Sequence, residues 1–544
     1  MKYKTHYCIQ ANENVGKKIK VAGWVEEVRD LGKLVFVLLK DSTARLQITS
    51  KKGSKTFEIL KKVGLGYVIS VEGTVMRRPQ NMINPKMKTG KVELLAEKVE
   101  ILNEAKRLPL IPDKPGINIT ETTRLKYRYL DLRSDFMQRN LRLRAEIINA
   151  LREFYLKNGF VEIETPYLAK STPEGSRDFL VPSRLHPGKF YALAQSPQLY
   201  KQMLMVAGFE KYFQFPRCFR DEDLRGDRQP EFTQLDVEIS FVDMNDVIEV
   251  VEESVRYMVK KVFGKKLGKF ERISYREAIE KFGTDKPDLR IKGMKIESKN
   301  GKVFVRVEKE YVEKLKEAIS LEELQGKIKS IEDNHKVRIN FKTFEDLENV
   351  EIEGKKLECL SAADELRRFI AYKTNSVDPS DYKFAWIINI PLFELDEEGN
   401  IKAAHHPFTA PMDEDLELLE KEPLRVRAKA YDLVLNGWEI AGGSIRNHKP
   451  EIQKKIFKVL GLSEAEYKER YGFMLEAFEY GTPPHGGIAF GLDRLVAVLL
   501  GLDNIKDVIA FPKTKDGKEL MTGTPSKAPE EYLKDLKWLK IDLK

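Results

Sequence analysis

A predicted strand over residues 232–239 carries the side chains with the clearest chemical potential in the sequence. Gln234, Asp236 and Glu238 alternate with apolar residues, so one face of the strand would be acidic and the other apolar. Such a face is either part of a site or the solvated face of an ordinary sheet, and the strand alone does not decide. The preceding connection, residues 221–230, is long and charged and follows Arg220, which favours a functional loop on a rigid strand.

A second group of chemically capable residues lies on a predicted hairpin. Asn436-Gly437 between two apolar-alternating runs is a strong signal for a two-residue turn. With that turn, Asp432 pairs with Ala441, and Glu439 lies diagonally from Asp432 on the same face, about 7–8 Å away at the backbone. Two carboxylates at this spacing can share a Mg²⁺ ion together with substrate phosphates, or they are two unrelated surface acids.

A third group combines glycines with an arginine. Residues 485–491 predict a strand that runs directly into an apolar helix with Arg494 in its first turn. A cation there opposes the helix dipole, which makes sense if it meets an anion such as a phosphate. Because the sequence has neither a P-loop nor a Rossmann glycine motif, a nucleotide would be held by arginines and metal. His405 and His406 lack the spacing of a zinc site, so anion or substrate contact is the better interpretation.

Composition limits the class of protein that can hold these groups. The chain of 544 residues is 42% hydrophobic and 33% charged, with a net charge of +9, which is compatible with a polyanionic partner. Its apolar runs are shorter than the roughly 20 residues of a membrane helix. The three cysteines are far apart, which excludes a disulfide framework and a cysteine zinc site. We therefore expect a cytoplasmic, multidomain protein without membrane spans.

The pattern along the chain predicts an α+β protein with several domains. Five short β-rich runs in residues 1–107 predict a small barrel, most commonly an OB-fold. A proline-containing linker over 108–135 follows. A helix from Arg139, ending at Asn158-Gly159, and a strand over 160–165 begin the main domain. We expect that domain to comprise 136–284 and 383–544, interrupted by a Lys- and Glu-rich inserted domain over 285–382.

These motifs together resemble a known enzyme family. Residues 139–166, the runs 219–222 and 228–232, and the run 491–494 are similar to the three ordered motifs of class II aminoacyl-tRNA synthetases. The barrel in front is similar to the aspartyl, asparaginyl and lysyl subgroup, and bacterial-type aspartyl enzymes match best, over essentially the whole chain. One departure is Ala441, where that family usually begins a three-glycine run.

The resemblance implies an OB-fold barrel, an antiparallel-sheet catalytic domain with an inserted α+β domain, and a two-step reaction. Aspartate and ATP would form aspartyl-adenylate and pyrophosphate, and the aspartyl group would then pass to tRNA(Asp). Catalysis would rest on Arg220, Arg494 and Glu439, with Mg²⁺ on Asp432 and Glu439 and no zinc. The positions that match the family's ATP-binding residues are Arg220, Asp221, Glu222, Gln229, Phe232, Glu439, Gly491, Leu492, Asp493 and Arg494.

The resemblance also implies how L-aspartate is selected. The positions that match its binding residues are Glu174, Gln198, Lys201, Arg220, Asp236, His405, His406 and Arg446. Lys201 and Arg446 would take the side-chain carboxylate, and Glu174 and Asp236 the ammonium. An asparaginyl enzyme would not need the two cations, and a lysyl enzyme would need an acid there. The similarity of residues 139–166 to the family's dimer motif implies a homodimer. The alternative to an enzyme is a tRNA-binding or regulatory protein built on an inactive synthetase domain.

In the barrel, the residues that match the family's anticodon contacts are Arg29, Phe36, Gln47, Arg78 and Glu93. Phe36 alone could equally be a core residue, but its combination with Arg29 and Gln47 favours RNA stacking. Leu31 stands where the family tends to have leucine in enzymes that discriminate tRNA(Asp) from tRNA(Asn). We therefore predict a discriminating enzyme, with a non-discriminating enzyme or an asparaginyl enzyme as alternatives.

Overall fold

The computed structural model describes residues 2–113, 119–172, 176–224, 226–396 and 398–539. The chain forms two compact units, Met1–Ile119 and Thr120–Lys544. Within the described residues, no helix combines the length and apolar character needed to cross a membrane.

The first unit is a closed five-stranded barrel, as the five β-rich runs predict. Its strands follow the order β1-β2-β3-β5-β4, with only β3 and β5 parallel. Alternate residues of each strand point into a common apolar core, which is why the sequence alternates. The elements are β1 (Lys18–Asp30), β2 (Leu34–Lys40), β3 (Arg45–Lys51), α1 (Lys55–Leu60), β4 (Val68–Arg77) and β5 (Val92–Asn103).

The second unit begins with helices and short strands. They are α2 (Glu121–Lys126), α3 (Arg128–Asp131), α4 (Asp135–Lys157), β6 (Val161–Glu162), β7 (Leu168–Ala169), β8 (Leu180–Pro182), β9 (Phe190–Leu193), α5 (Gln198–Val206), β10 (Lys211–Gln214), β11 (Arg217–Phe219), β12 (Glu231–Ser240), α6 (Met244–Phe263), β13 (Glu271–Ser274) and α7 (Tyr275–Phe282). The strand predicted over 160–165 is too long, because only Val161 and Glu162 pair with β10.

Residues 291–377 form their own apolar core within this unit. A four-stranded sheet of order β14-β15-β17-β16 packs there against three helices. The elements are β14 (Met294–Lys299), β15 (Lys302–Val307), α8 (Lys309–Ala318), α9 (Leu321–His335), β16 (Arg338–Asn340), β17 (Val350–Glu353) and α10 (Lys356–Lys373).

The remaining elements complete the central sheet and its flanks. They are β18 (Phe384–Ile388), β19 (Phe393–Leu395), β20 (Ile401–Ala403), β21 (Ala430–Leu435), β22 (Trp438–Ile445), α11 (Pro450–Val459), α12 (Glu464–Phe478), β23 (His485–Gly491), α13 (Leu492–Leu499) and α14 (Glu530–Lys534).

The central sheet has the order β13-β18-β21-β22-β23-β12-β10-β6, and β11 pairs with β12. It is antiparallel except where β13 joins β18 and β6 joins β10. Apolar residues of α4, α6 and α13 form one core with the apolar faces of β12, β21 and β23. The opposite faces of those strands are therefore available for a site.

Candidate active site

The polar face of β12 is buried, which decides against a solvated sheet face. Gln234, Asp236 and Glu238 are all nearly inaccessible to solvent. Gly487 of β23 lies opposite Glu238, and a Cβ there would come 2.1 Å from Oε2 of Glu238. Glycine is therefore required at 487, because any side chain there would clash with the carboxylate of Glu238.

Two buried cations converge on the two carboxylates of this face. Nζ of Lys201, from α5, is 2.6 Å from Oδ1 of Asp236 and 3.1 Å from Oε2 of Glu238. Arg446, just after β22, donates from Nε (2.9 Å) and Nη2 (3.1 Å) to the two oxygens of Glu238. The sequence prediction included three of these four residues as ligand-binding positions. It placed Glu238 on the same face as Asp236 but gave it no ligand-binding role.

Burial acts to raise the pKa of both carboxylates, but the neighbouring cations offset it to different extents. Burial raises the pKa of Asp236 to about 6, and Lys201 offsets only part of that effect. Burial also acts to raise the pKa of Glu238, but Arg446 and Lys201 together hold it at about 2. Oδ2 of Asp236 is buried and has no hydrogen-bond partner in the described part of the chain. A ligand that donates to Oδ2 would satisfy this carboxylate.

The adjacent histidines line the same region. Nε2 of His406 is 2.6 Å from Nη1 of Arg446, and the backbone N–H of Phe408 donates to its Nδ1 (3.1 Å). Burial, together with Arg446, lowers the pKa of His406 well below its ordinary value. Nε2 of His405 is 3.5 Å from Oδ1 of Asp432. The buried Nδ1 of His405 has no hydrogen-bond partner among the described residues.

The hairpin of β21 and β22 contains a bulge that the sequence prediction missed. The turn at Asn436-Gly437 is correct, but Asp432 pairs with Gly442 rather than with Ala441. The register shifts because β22 contributes one extra residue, and Ile440 and Ala441 are both buried in the core.

The bulge still leaves the two hairpin carboxylates on the same side. Burial raises the pKa of Asp432, and the nearby charge of Glu439 raises it further. At Gly442, opposite Asp432, a Cβ would come 2.9 Å from Oδ1 of Asp432 and 3.1 Å from Nε2 of His405. Ala441 departs from the family's three-glycine run, but Gly442, where a Cβ would come too close to Asp432, is still glycine.

Two cations surround Glu439. Nζ of Lys286 is 3.2 Å from Oε2 of Glu439, and Nη1 of Arg494 donates to the Glu439 carbonyl oxygen (2.7 Å). Burial acts to raise the pKa of Glu439, but Lys286 and Arg494 lower it overall. Nη2 of Arg494 also donates to Asp227 (3.1 Å). Arg494 lies in the first turn of α13, as predicted, but its side chain contacts the hairpin, and the contact of Lys286 was not predicted.

Arg220 lies at the entrance of the long connection, as predicted. Its backbone N–H donates to the carbonyl of Pro230 (2.9 Å), and its guanidinium lies 5.1 Å from the ring centroid of Phe232. Nε of Arg220 is buried and lacks a hydrogen-bond partner within the described residues. In the same connection, Asp221 pairs through its backbone with Arg177, and Glu222 accepts from Arg228 (3.2 Å).

Two residues predicted to bind ATP make side-chain hydrogen bonds within the protein. The amide of Gln229 donates to Lys513 O (3.1 Å) and accepts from Lys513 N (2.7 Å). The buried carboxylate of Asp493 accepts from the backbone of Thr233 (3.1 Å) and from Arg144. These contacts fix the C-terminal segment, α4 and β12 around the site.

The other predicted positions differ in their surroundings. Gln198 is buried and donates to Gln202 (3.1 Å). Leu492 packs in the core, so only its backbone could face a ligand, and Gly491 caps α13. Glu174 lies outside the described residues.

In the barrel, three predicted anticodon positions lie close together. Gln47 donates to Glu93 (2.7 Å), Thr49 donates to the same carboxylate oxygen (2.7 Å), and Phe36 pairs with Thr49 across β2 and β3. Arg78 is buried, with Nε on the carbonyl of Val92 (3.0 Å). The remaining two positions are exposed, with Arg29 paired to Glu27 and Leu31 66% accessible at the β1–β2 turn.

Comparison with known proteins agrees with this geometry. The family of class II tRNA synthetases (D, K and N) matches residues 120–515, and the OB-fold nucleic acid binding domain matches residues 19–102. The chain belongs to the class II tRNA synthetases of the D, K and N group. It is a ligase, and the family resemblance and the fold class predicted from the sequence are confirmed.

Full-length relatives cover nearly the whole synthetase. An "Aspartate--tRNA(Asp/Asn) ligase" of Caldanaerobacter subterraneus is 47% identical over 99% of this chain and 98% of its own. An "Aspartate--tRNA ligase" of Ruminiclostridium cellulolyticum is 44% identical over 98% and 97%. The crystal structure of asparaginyl-tRNA synthetase from Pyrococcus horikoshii, with asparaginyl-adenylate, superimposes with a TM-score of 0.65 at 24% identity, over 94% of this chain and 99% of that one, which supports the fold alone.

Proposed function

We propose that this synthetase activates L-aspartate with ATP and transfers it to the 3′ end of tRNA(Asp). Two buried cations, Lys201 and Arg446, support the proposal, together with Asp236, whose Oδ2 has no hydrogen-bond partner among the described residues. The names of the full-length relatives support aspartate as the amino acid.

Charge explains the choice of amino acid. The side-chain carboxylate of aspartate would share Lys201 and Arg446 with the acids that now neutralise them, and its ammonium would donate to Oδ2 of Asp236. Asparagine offers a neutral amide to the two cations and gains less from them. A lysine side chain would place a third cation next to two buried ones, which low dielectric makes costly. His405 and His406 would close the site over the bound amino acid.

In the activation step, the α-carboxylate of aspartate attacks the α-phosphorus of ATP in line, and pyrophosphate leaves. No covalent enzyme intermediate is required, so the protein contributes positioning and charge stabilisation. Arg220 would hold the α-phosphate, since its Nε is buried without a partner in the described residues. Arg494 would reach the γ-phosphate, and Phe232 would stack on adenine.

The residues of the hairpin fit a magnesium ion that enters with ATP. Mg²⁺ binds through one or two carboxylates plus substrate phosphates, and Asp432 and Glu439 supply that donor set. Oδ1 of Asp432 is buried and makes no hydrogen bond within the described residues beyond its 3.5 Å approach to Nε2 of His405, so it could bind a cation. The ion would neutralise phosphate charge. A protein-only site is not expected, because the described residues contain no group of three or more His, Cys, Asp or Glu that could hold a metal.

A homodimer would complete the assembly. Large apolar side chains stay exposed around the motif of residues 139–166, among them Leu156 and Val161. Light scattering at micromolar concentration should give twice the 62.8 kDa chain mass. A monomer mass would contradict the proposal.

The barrel would read the anticodon through Phe36, Gln47 and Glu93. Leu31 favours discrimination for tRNA(Asp), whereas the relatives named tRNA(Asp/Asn) ligases favour a second candidate, an enzyme that charges both tRNAs. Aspartylation of the two transcripts at the same salt concentration separates them. Discrimination predicts about a tenfold to hundredfold preference for tRNA(Asp), and equal efficiencies would favour the second candidate.

Formation of aspartyl-adenylate without tRNA tests the proposed activity. We expect the purified protein to convert aspartate and ATP to the adenylate and pyrophosphate. A protein that binds tRNA(Asp) but forms no adenylate would instead be a binding protein on a synthetase fold.

A further inference from the structure

Lys286 connects the compact inserted core, residues 291–377, with the hairpin carboxylates. It precedes β14, and its ammonium is 3.2 Å from Oε2 of Glu439. Lys286 was assigned no role from the sequence. It therefore places a cation next to a carboxylate proposed to hold Mg²⁺.

The position of Lys286 is fixed by the fold. Arg368 of α10 donates from Nη2 to the carbonyl of Lys286 and from Nη1 to the carbonyl of Gly437 (3.1 Å). Arg368 is itself held by Asp364 (2.7 Å). Gly437 has φ +85°, and a Cβ there would come 2.6 Å from Nη1 of Arg368. The hairpin turn and the segment that carries Lys286 are therefore held by the same guanidinium.

The positive charge of Lys286 affects how Glu439 meets other cations. Its ammonium neutralises Glu439 when no nucleotide is bound, and it repels a second cation that approaches the same carboxylate. We propose that Lys286 is a resident cation on Glu439 that competes with free divalent metal, so that metal enters the site together with ATP. The inference rests on the proposed function, which assigns metal to Asp432 and Glu439. Lys286 thus acts on metal binding through Glu439 and is not itself a ligand.

Titration with Mn²⁺ in the absence of ATP, followed by electron paramagnetic resonance of the free ion, tests this inference. We expect Lys286→Met to bind Mn²⁺ about fivefold more tightly than the wild type, because the competing charge is gone. Lys286→Arg should keep the wild-type affinity. The matched control is Lys373→Met, since Lys373 has 42% side-chain exposure against 41% for Lys286 and pairs with a glutamate, Glu323, as Lys286 does with Glu439. Lys286 also lies 3.8 Å from Asp285. Lys373→Met should leave Mn²⁺ binding unchanged.

Unchanged or weaker Mn²⁺ binding in Lys286→Met overturns the inference. If that variant does not fold, Lys286→Gln carries the same expectation and the same overturning result. Glu439→Gln locates the ion: unchanged binding there overturns the metal assignment in the proposed function as well. Weaker binding in Glu439→Gln, combined with wild-type affinity in Lys286→Met, overturns only the role of Lys286.

Discussion

Replacement of Glu238 by glutamine removes one charge from the buried cluster and keeps the side-chain shape. In the wild type, this carboxylate accepts from Arg446 at 2.9 and 3.1 Å and lies 3.1 Å from Lys201. The variant leaves two buried cations with Asp236 as their only remaining carboxylate in the cluster. We expect a less stable catalytic unit and a higher KM for aspartate, because Arg446 and Lys201 lose the group that orients them.

The size of the stability loss follows from the pKa of Glu238. A carboxyl held at about 2 instead of 4.5 contributes roughly 3 kcal/mol at neutral pH. Breaking one partner of a buried ion pair costs about 3–5 kcal/mol, in agreement. Because the pKa is depressed in the folded state, this stabilisation is complete above pH 4.5 and is lost as the pH falls toward 2. The difference between wild type and Glu238→Gln should shrink over that interval.

Urea unfolding followed by tryptophan fluorescence measures the loss, since Trp386 lies in the same core as β12. Glu153→Gln is the matched control. The pKa of Glu153 is also lowered to about 2, by Lys157 first and then by Lys261 and Tyr257. Glu153 and these partners lie at the surface, however. Surface ion pairs contribute little, so the control should lose far less stability. Equal losses in Glu153→Gln and Glu238→Gln at pH 7 would refute the reasoning from burial.

Three further results are expected in aspartate-dependent ATP–pyrophosphate exchange. Arg220→Ala should lower the rate at least about a hundredfold, the scale of losing a charge-stabilising donor. The KM for aspartate should rise as the pH falls below about 6, because burial raises the pKa of Asp236 to about 6 and protonation removes the acceptor for the substrate ammonium. Gly442→Ala should impair exchange, since the new Cβ would come 2.9 Å from Oδ1 of Asp432.

Each of these results has a control or an outcome that would contradict it. Arg217→Ala removes a neighbouring arginine that pairs with Glu231 at 3.0 Å, and an Arg220→Ala rate within about threefold of that control would exclude Arg220 from the site. A KM for aspartate that does not change between pH 5.5 and 8 would contradict the role of Asp236. A Cβ at Gly472 would meet open space, so Gly472→Ala should leave the exchange rate unchanged. A Gly442→Ala rate equal to that of Gly472→Ala would contradict the steric argument.

The sequence predicts elements with a strong local period and turn chemistry. The alternation on β12 and the Asn436-Gly437 turn are both correct in the structure. The bulge in β22 is not predictable from the turn, because it depends on how Ile440 and Ala441 pack against the core. The short β6 is also not predictable from local pattern, since its pairing with β10 ends after two residues.

Long-range contacts limit prediction of the site. Arg446 and Glu238 are 208 residues apart, so no local pattern indicates their pairing. Lys286 reaches Glu439 across a long sequence separation, where Arg368 holds the backbone of Lys286 and the hairpin turn together. Gln229 and Asp493 belong to motifs that the sequence does mark, but the direction of their side chains follows from tertiary packing.

Selection of aspartate by buried cations can be measured as exchange with three amino acids side by side. Wild-type protein should catalyse ATP–pyrophosphate exchange with aspartate and show little exchange with asparagine or lysine at the same concentration. Lys201→Met, which removes a cation 2.6 Å from Asp236, should reduce the preference for aspartate. An asparagine rate equal to that of aspartate in the wild type would contradict the account.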